Sequence, residues 1–292
     1  MILFFILYAL LALSFVFAKI ALNYSAPVFL IALRMSLAGI LLLGYQFFLN
    51  SKKLIIKKND VWLFFKTSLF HIYIAFTLEF WALRYLSSSK TNIIYTTTPF
   101  LTALLAYLIY GSKLTFYKTV GMLIGLFGLL PIILTHIAQE GSMLAGISFP
   151  EVIMLISVIC SAYAWFLVKD LMNKNYSLLI INGYAMLIGG ILAFFTSYII
   201  GEQMNLNWNL ILWISLLILV SNILFYNLYA WLMHLYSLTF LSFAGFLSPI
   251  FGAIFGYLIL NEKITYHYFI SLIIVFIGLY IFYKDEMNKN NL

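Results

Sequence analysis

Residues 99–129 read PFLTALLAYLIYGSKLTFYKTVGMLIGLFGL, and residues 249–279 read PIFGAIFGYLILNEKITYHYFISLIIVFIGL. Laid over one another without a gap, at an offset of 150 residues, they share Pro99/Pro249, Ala103/Ala253, Tyr107/Tyr257, Leu108/Leu258, Ile109/Ile259, Lys113/Lys263, Thr115/Thr265, Ile124/Ile274, Gly128/Gly278 and Leu129/Leu279. Apolar chains match one another by chance, but a paired proline and a paired Lys-x-Thr are not apolar noise. The same offset pairs Lys19 with Lys169, Gly39 with Gly189 and Trp81 with Trp231. A repeat of this length dictates the fold and is read before any motif. Duplication is its best explanation.

Working outward, the 292 residues are 65% apolar and 19% aromatic but only 9% charged, with a mean hydropathy of +1.06. A soluble domain carries about 25% charged residues. That shortfall excludes a soluble enzyme, a disordered chain and a nucleic-acid binder, despite the net charge of +7. The basic residues sit between apolar runs rather than on one face, as orientation signals do. The single cysteine, Cys160, lies inside an apolar run, which excludes an intrachain disulfide and argues against a metal cluster. No metal and no cofactor is expected.

A bilayer core takes about 20 apolar residues in helical form. The chain offers ten such segments, at roughly 2–22, 27–49, 61–85, 91–110, 118–137, 150–169, 178–200, 208–232, 240–260 and 266–283. The first lacks a charged start and a cleavage site, so it reads as a retained span rather than a signal peptide. The expected fold is an all-α membrane protein of ten transmembrane helices, divided into repeats at 1–137 and 147–287. Five spans per repeat is an odd number, so the second copy enters the membrane from the opposite side. Inverted repeats of this kind build a midplane site that two related conformations open to opposite faces, which points to a transporter.

Orientation follows from the basic residues. With the amino terminus inside, the inner segments hold Lys52, Lys53, Lys57, Lys58, Lys66, Lys113, Lys118, Lys169, Lys174, Lys284 and Lys289. The outer ends hold only Lys19, Arg84, Lys90 and Lys263. The bias places both termini in the cytoplasm. Lys19, Lys66 and Arg84 lie close enough to span ends to snorkel.

Two stretches carry a family resemblance: WALRYLS at 81–87 running into TPFLTALLA at 98–106, and LSPIFGA at 247–253 followed by NEKIT at 261–265. Five-helix repeats with a proline-marked fourth helix, a short polar link and a glycine-bearing fifth helix resemble EamA-type transporters of the drug/metabolite transporter superfamily. The likeness covers nearly the whole chain. It implies secondary transport of small polar metabolites by alternating access across a bacterial cytoplasmic (inner) membrane, with amino acids or related compounds as substrates. Uptake or exchange of an adenine-bearing metabolite such as S-adenosylmethionine is the alternative. One departure concerns the acidic residue after the fourth helix, present as Glu262 but replaced by Ser112 in the first half.

Pro99 and Pro249 each remove a backbone donor, so a kink is expected in helices four and nine. Thr96, Thr98 and Ser248 stand ready for the carbonyls this frees, and Gly252-x-x-x-Gly256 allows a neighbouring helix to approach. Packing and hinge roles are both open for these residues.

Polar side chains at depth mark function. Ser215, Asn222, Tyr226 and Tyr229 fall on one face of helix eight, and His71, Ala75 and Glu79 on the matching face of helix three. Asn92 and Tyr95 from helix four and Ser157, Ser161 and Trp165 from helix six complete the expected cavity of aromatic surfaces and a few hydrogen-bonding groups. Arg34 and Glu79 lie at similar depth, about 10 Å inside the outer face at 1.5 Å per residue, and make a candidate ion pair. Either the pair fixes helix two against helix three, or Glu79 meets a cationic substrate group or a transported proton while Arg34 tunes it. His71, near mid-span, reads as an interior residue with proton transfer as its other option.

Enzymatic constellations are absent. There is no metal-ligand spacing, Walker loop or matched serine–histidine motif, and Gly121-x-x-x-Gly125-x-x-Gly128 is a packing stripe inside a helix. A small-molecule substrate and the lipid bilayer are the expected partners, nucleic acid is not, and both proton coupling and a homodimer stay compatible with the sequence. The rival from another class is a membrane scaffold or receptor that binds without moving solute.

Overall fold

The computed structural model describes residues 2–86, 88–140, 148–203, 206–260 and 267–290. Among them every regular element is helical and no strand occurs. In order these are α1 (Ile2–Ala21), α2 (Pro27–Asn50), α3 (61–85), α4 (88–110), α5 (Phe116–Glu140), α6 (Phe149–Asn173), α7 (Leu178–Ile199), α8 (208–232), α9 (238–260) and α10 (His267–Asn290). Eight stretches, in α1 to α4 and α6 to α9, are long and apolar enough to cross a membrane, and Phe116–Pro131 in α5 is a shorter apolar helix. Glu262 and Lys263 lie outside the described residues, as do the side chains of His136, Glu140 and His267.

Helix ends follow local chemistry. Ser148 and Glu151 form a capping box at the start of α6, and Asn207 accepts from the Leu210 N–H at 2.8 Å at the start of α8. Gly111 closes α4 at φ +64°, a left-handed backbone that glycine adopts without penalty. Three further contacts at helix ends come from distant parts of the chain. Glu202 accepts from the N–H groups of Val28 (3.3 Å) and Phe29 (2.7 Å) at the start of α2, where a carboxylate meets the positive end of the helix. Lys19 Nζ donates to the carbonyls of Leu83, Arg84 and Leu86 at the end of α3. Asp60, just before α3, holds Lys174 and the Tyr176 hydroxyl just after α6, and this contact raises the Lys174 ammonium above its ordinary pKa.

These contacts fix directions. α1 ends beside the end of α3, whereas α6 ends beside its start, so α1 and α6 run in opposite directions. α2 lies along α7, and α5 along α10. Both crossings are backbone against backbone, with no room for a side chain. A Cβ on Gly39 would stand 2.5 Å from the Leu187 nitrogen, and one on Gly278 2.6 Å from the Gly121 carbonyl.

Two irregularities recur at the 150-residue offset. A π-helical segment interrupts α3 at Ser68–Ile74 and another interrupts α8 at Ile218–Phe225. Helices α4 and α9 are each broken into halves. α4 runs Ser88–Tyr95, turns at Thr96 and Thr97, and resumes as Thr98–Tyr110. α9 runs Leu238–Ala244, passes through a 3-10 turn, and resumes as Ser248–Leu260. Pro99 and Pro249 are the second residues of the resumed halves. The expected kink inside a continuous helix is therefore a break, with proline in the first turn where its missing N–H costs nothing. Thr96, Thr97 and Thr98 donate back to the carbonyls of Ile93, Ile94 and Tyr95 at 2.6–2.8 Å, satisfying groups the break releases. Ser248 donates instead across the bundle to Asn92 Oδ1 at 2.6 Å. A Cβ on Gly252 would stand 2.9 Å from Asn92 Nδ2, so this glycine admits α4, and Gly256 is buried one turn on.

Candidate transport cavity

Helices α1, α2, α3, α4, α6, α8 and α9 close around a cavity with about 70 Å³ of free space. Its walls are largely aromatic: Phe76 and Phe80 from α3, Tyr95 from α4, Trp165 from α6, and Phe225, Tyr226 and Tyr229 from α8. Ser14, Thr98, Thr102, Ser161, Ser221, Ser242 and Ser248 add hydroxyls. Thr98 and Ser248 open the resumed halves of α4 and α9, so both helix breaks face this space. Among the described residues, Arg34 and Glu79 are the charged members of the lining.

The aromatic groups form a connected panel. Trp165 stacks on Tyr229 with ring centroids 4.1 Å apart and 29° between planes, and lies 5.4 Å from Tyr226. Such planar, half-polar surfaces suit stacking with a flat ligand or attraction of a cation to the ring face.

Arg34 is 1% exposed and held by neutral groups. Its Nε donates to Asn222 Oδ1 at 2.8 Å and its Nη2 to Ser221 Oγ at 2.6 Å. The guanidinium carbon lies 5.1 Å from the Phe76 ring centre and 5.5 Å from that of Phe80. Glu79, 5% exposed, accepts from the Tyr95 hydroxyl through Oε2. Among the described residues there is no direct ion pair between Arg34 and Glu79. The serine and asparagine of α8 hold Arg34, and the tyrosine of α4 holds Glu79.

The remaining sequence candidates divide by position. Glu79, Tyr95, Trp165, Tyr226 and Tyr229 line the cavity, whereas His71, Asn92 and Asn222 stand behind its walls. Asn222 braces Arg34 and donates to Met35 Sδ at 3.2 Å. Asn92 fastens α4 to α9 through Ser248. His71 is buried edge-on to Trp165 (4.6 Å) and Tyr226 (5.0 Å), with no hydrogen-bond partner for either ring nitrogen among the described residues. Ser157 is spent on the Ala75 carbonyl at 2.7 Å. Ser215, expected on the Asn222 face, is exposed and bonds back to Ile211. The π segment that contains Asn222 is the reason, since its wider turn shifts the helix register. The same shift brings neighbours Ser221 and Asn222 to one guanidinium, which an even helical spacing does not foretell. Ser221, Phe80 and Tyr8 are lining residues the sequence reading missed.

Broken helices meeting at a cavity that holds buried polar and charged groups inside an apolar bundle are the architecture of a solute transporter. The chain belongs to the EamA-like transporter family, whose pattern matches residues 1–134 and again 148–284. It is a multi-pass membrane transporter and not an enzyme. An S-adenosylmethionine/S-adenosylhomocysteine transporter of Chlamydia muridarum is 31% identical over 283 residues, covering 94% of this chain and 89% of the relative. The transporter of the same description from Chlamydia trachomatis serovar L2 is 29% identical over 286 residues, with 94% and 86% covered. The uncharacterised transporter YoaV of Bacillus subtilis is 22% identical, covering 91% of this chain and 90% of its own. A solved crystal structure superposes with a TM-score of 0.71 over 97% of this chain and 95% of the other, at 17% identity, and shows the shared fold.

Proposed function

We propose that the chain is a secondary transporter of S-adenosylmethionine and S-adenosylhomocysteine, working by alternating access. The observation that carries this is the cavity itself: one guanidinium, one carboxylate and a connected aromatic panel in a single enclosed space. An adenosyl amino acid has the matching parts, namely a stackable base, charged ends and, in S-adenosylmethionine, a sulfonium for which ring faces and a carboxylate are natural neighbours. The description of the Chlamydia relatives supports the same substrate. The amino-acid reading therefore yields to its alternative, because a free amino acid leaves most of the aromatic panel unused.

Ten spans in two inverted five-helix repeats, 1–137 and 147–287, with both termini cytoplasmic, form the frame of this reading. Support comes from the antiparallel course of α1 and α6, the π segments at matched positions of α3 and α8, and the matched breaks in α4 and α9. The 70 Å³ of free space is far below the roughly 300 Å³ or more of a ligand-filled pocket. Loading therefore requires the repeats to part, and the broken helices are where they bend.

Uptake of labelled S-adenosylmethionine by bacterial cells expressing the chain tests the reading. Accumulation above vector-only cells, abolished by excess unlabelled S-adenosylhomocysteine and not by an amino-acid mixture, is the expected result.

A further inference from the structure

We propose that Arg34 and Glu79 together receive the zwitterionic α-amino-acid head of the substrate, the carboxylate on Arg34 and the ammonium on Glu79. The inference rests on the transport reading above and assigns the polar end of its site.

Both charges line one small cavity, and each is fixed by neutral partners that leave part of it uncommitted. Arg34 spends Nε on Asn222 and Nη2 on Ser221, and Nη1 has no partner among the described residues. Glu79 spends Oε2 on Tyr95, and Oε1 has no partner among the described residues. Two opposite charges in an apolar bundle lower their cost by pairing. Here the braces of α8 and α4 hold them apart instead. A ligand that carries both signs on adjacent atoms satisfies both at once, donating from its ammonium to the carboxylate and accepting from the guanidinium.

Aromatic rings and irregular helix segments form the supports. Phe76 and Phe80, one turn apart on α3, both lie beside the guanidinium, and Glu79 lies between them in sequence on that helix. Arginine beside aromatic rings presents a planar fork that matches a carboxylate. The braces also come from elements with helix irregularities: Ser221 and Asn222 from the π segment of α8, and Tyr95 from the residue just before the break in α4. Movement of these segments repositions the two charges together, which couples holding the head to the conformational cycle.

The test is competition against labelled S-adenosylmethionine uptake in proteoliposomes containing the full chain. Three unlabelled compounds are compared: S-adenosylhomocysteine, its decarboxylated analogue, and 5′-methylthioadenosine, which keeps the adenosyl thioether and lacks the head. In the wild type, removing the head weakens competition roughly tenfold or more, the size of one well-made charged contact. Arg34→Gln erases the advantage of the compound with a carboxylate over its decarboxylated analogue, and Arg34→Lys restores part of it. Glu79→Gln weakens both ammonium-bearing compounds and leaves 5′-methylthioadenosine unchanged. Equal competition by all three compounds in the wild type overturns the inference, and that arm needs no variant to fold. So does a loss in either variant that is the same for compounds with and without the head. If the wild type carries methionine but not S-adenosylmethionine, the adenosyl reading falls while the head-group arms are run on methionine and its amine. If it carries neither, both fall.

Discussion

Lys19 Nζ donates to the carbonyl of Leu83 at 2.7 Å, closing the end of α3 against the end of α1, and reaches Arg84 at 3.2 Å and Leu86 at 2.7 Å as well. At an offset of 150 residues these four positions become Lys169, Met233, His234 and Tyr236. Those four line one cleft at the opposite end of the bundle, and among the described residues Lys169 bonds none of the three carbonyls. One latch is shut and its counterpart is open. On the inverted-repeat reading proposed above, access changes by exchanging such local asymmetries.

Removing either lysine should therefore bias the cycle in opposite senses. With Cys160→Ala as background, Leu22→Cys reports on the cleft near Lys19 and Asn173→Cys on the cleft near Lys169. Lys19→Met should speed thiol labelling at position 22 and slow it at 173, and Lys169→Met should do the reverse. A cation on helix-end carbonyls contributes about 1 kcal/mol, which corresponds to a change of roughly fivefold in the balance of states. Shifts in the same sense at both sites count against the latch.

The brace on Arg34 should be a stability determinant separate from the substrate contact. Asn222→Leu leaves the guanidinium Nε unsatisfied in an apolar setting, at a cost of about 1–3 kcal/mol. Ser221→Ala removes the shorter bond but leaves Asn222 in place, and should cost less. Thermal melts in detergent measure both, with Asn222→Leu expected to melt lower than Ser221→Ala.

Two glycines of α2 give a matched comparison. Gly39→Ala sets a methyl 2.5 Å from the Leu187 backbone nitrogen, so α2 and α7 must separate, at about 1–3 kcal/mol for an overpacked contact. Gly44→Ala meets nothing within 4 Å and should be neutral or stabilise by about 0.4–1 kcal/mol through the unfolded chain. Melting temperatures moving apart in these directions would establish the crossing point.

His71 offers a test of proton coupling. Both ring nitrogens are buried without partners among the described residues, and the ring touches aromatic faces. An apolar ring relieves that penalty, so His71→Phe should fold at least as stably and retain uptake with an unchanged pH profile. Loss of pH dependence in that variant would instead make His71 a proton carrier.

The helical bundle was legible because lipid enforces it: a long apolar run in a membrane has few options other than helix. Tyr95, Tyr226, Tyr229, Trp165 and Glu79 were legible for the same reason, as polar or half-polar groups at depth. What stayed hidden was register. An even helical spacing put Ser215 with Asn222, and the π segment at Ile218–Phe225 turned Ser215 out and brought Ser221 in. Depth along the chain likewise matched Arg34 to Glu79 but carried no azimuth, so the neutral braces from α8 and α4 could not be read. Pro99 and Pro249 marked the right places, yet a proline inside a helix and one in a helix's first turn look alike in sequence. Lys19 read as a snorkelling residue, since its partners are main-chain carbonyls that no side-chain pattern reports.

The most direct measurement of the central claim is exchange by the purified chain in proteoliposomes. Vesicles loaded with unlabelled S-adenosylhomocysteine should accumulate labelled S-adenosylmethionine faster than empty vesicles, and labelled amino acids should not enter either. Accumulation of amino acids without S-adenosylmethionine, or binding of S-adenosylmethionine with no movement across the membrane, would contradict it.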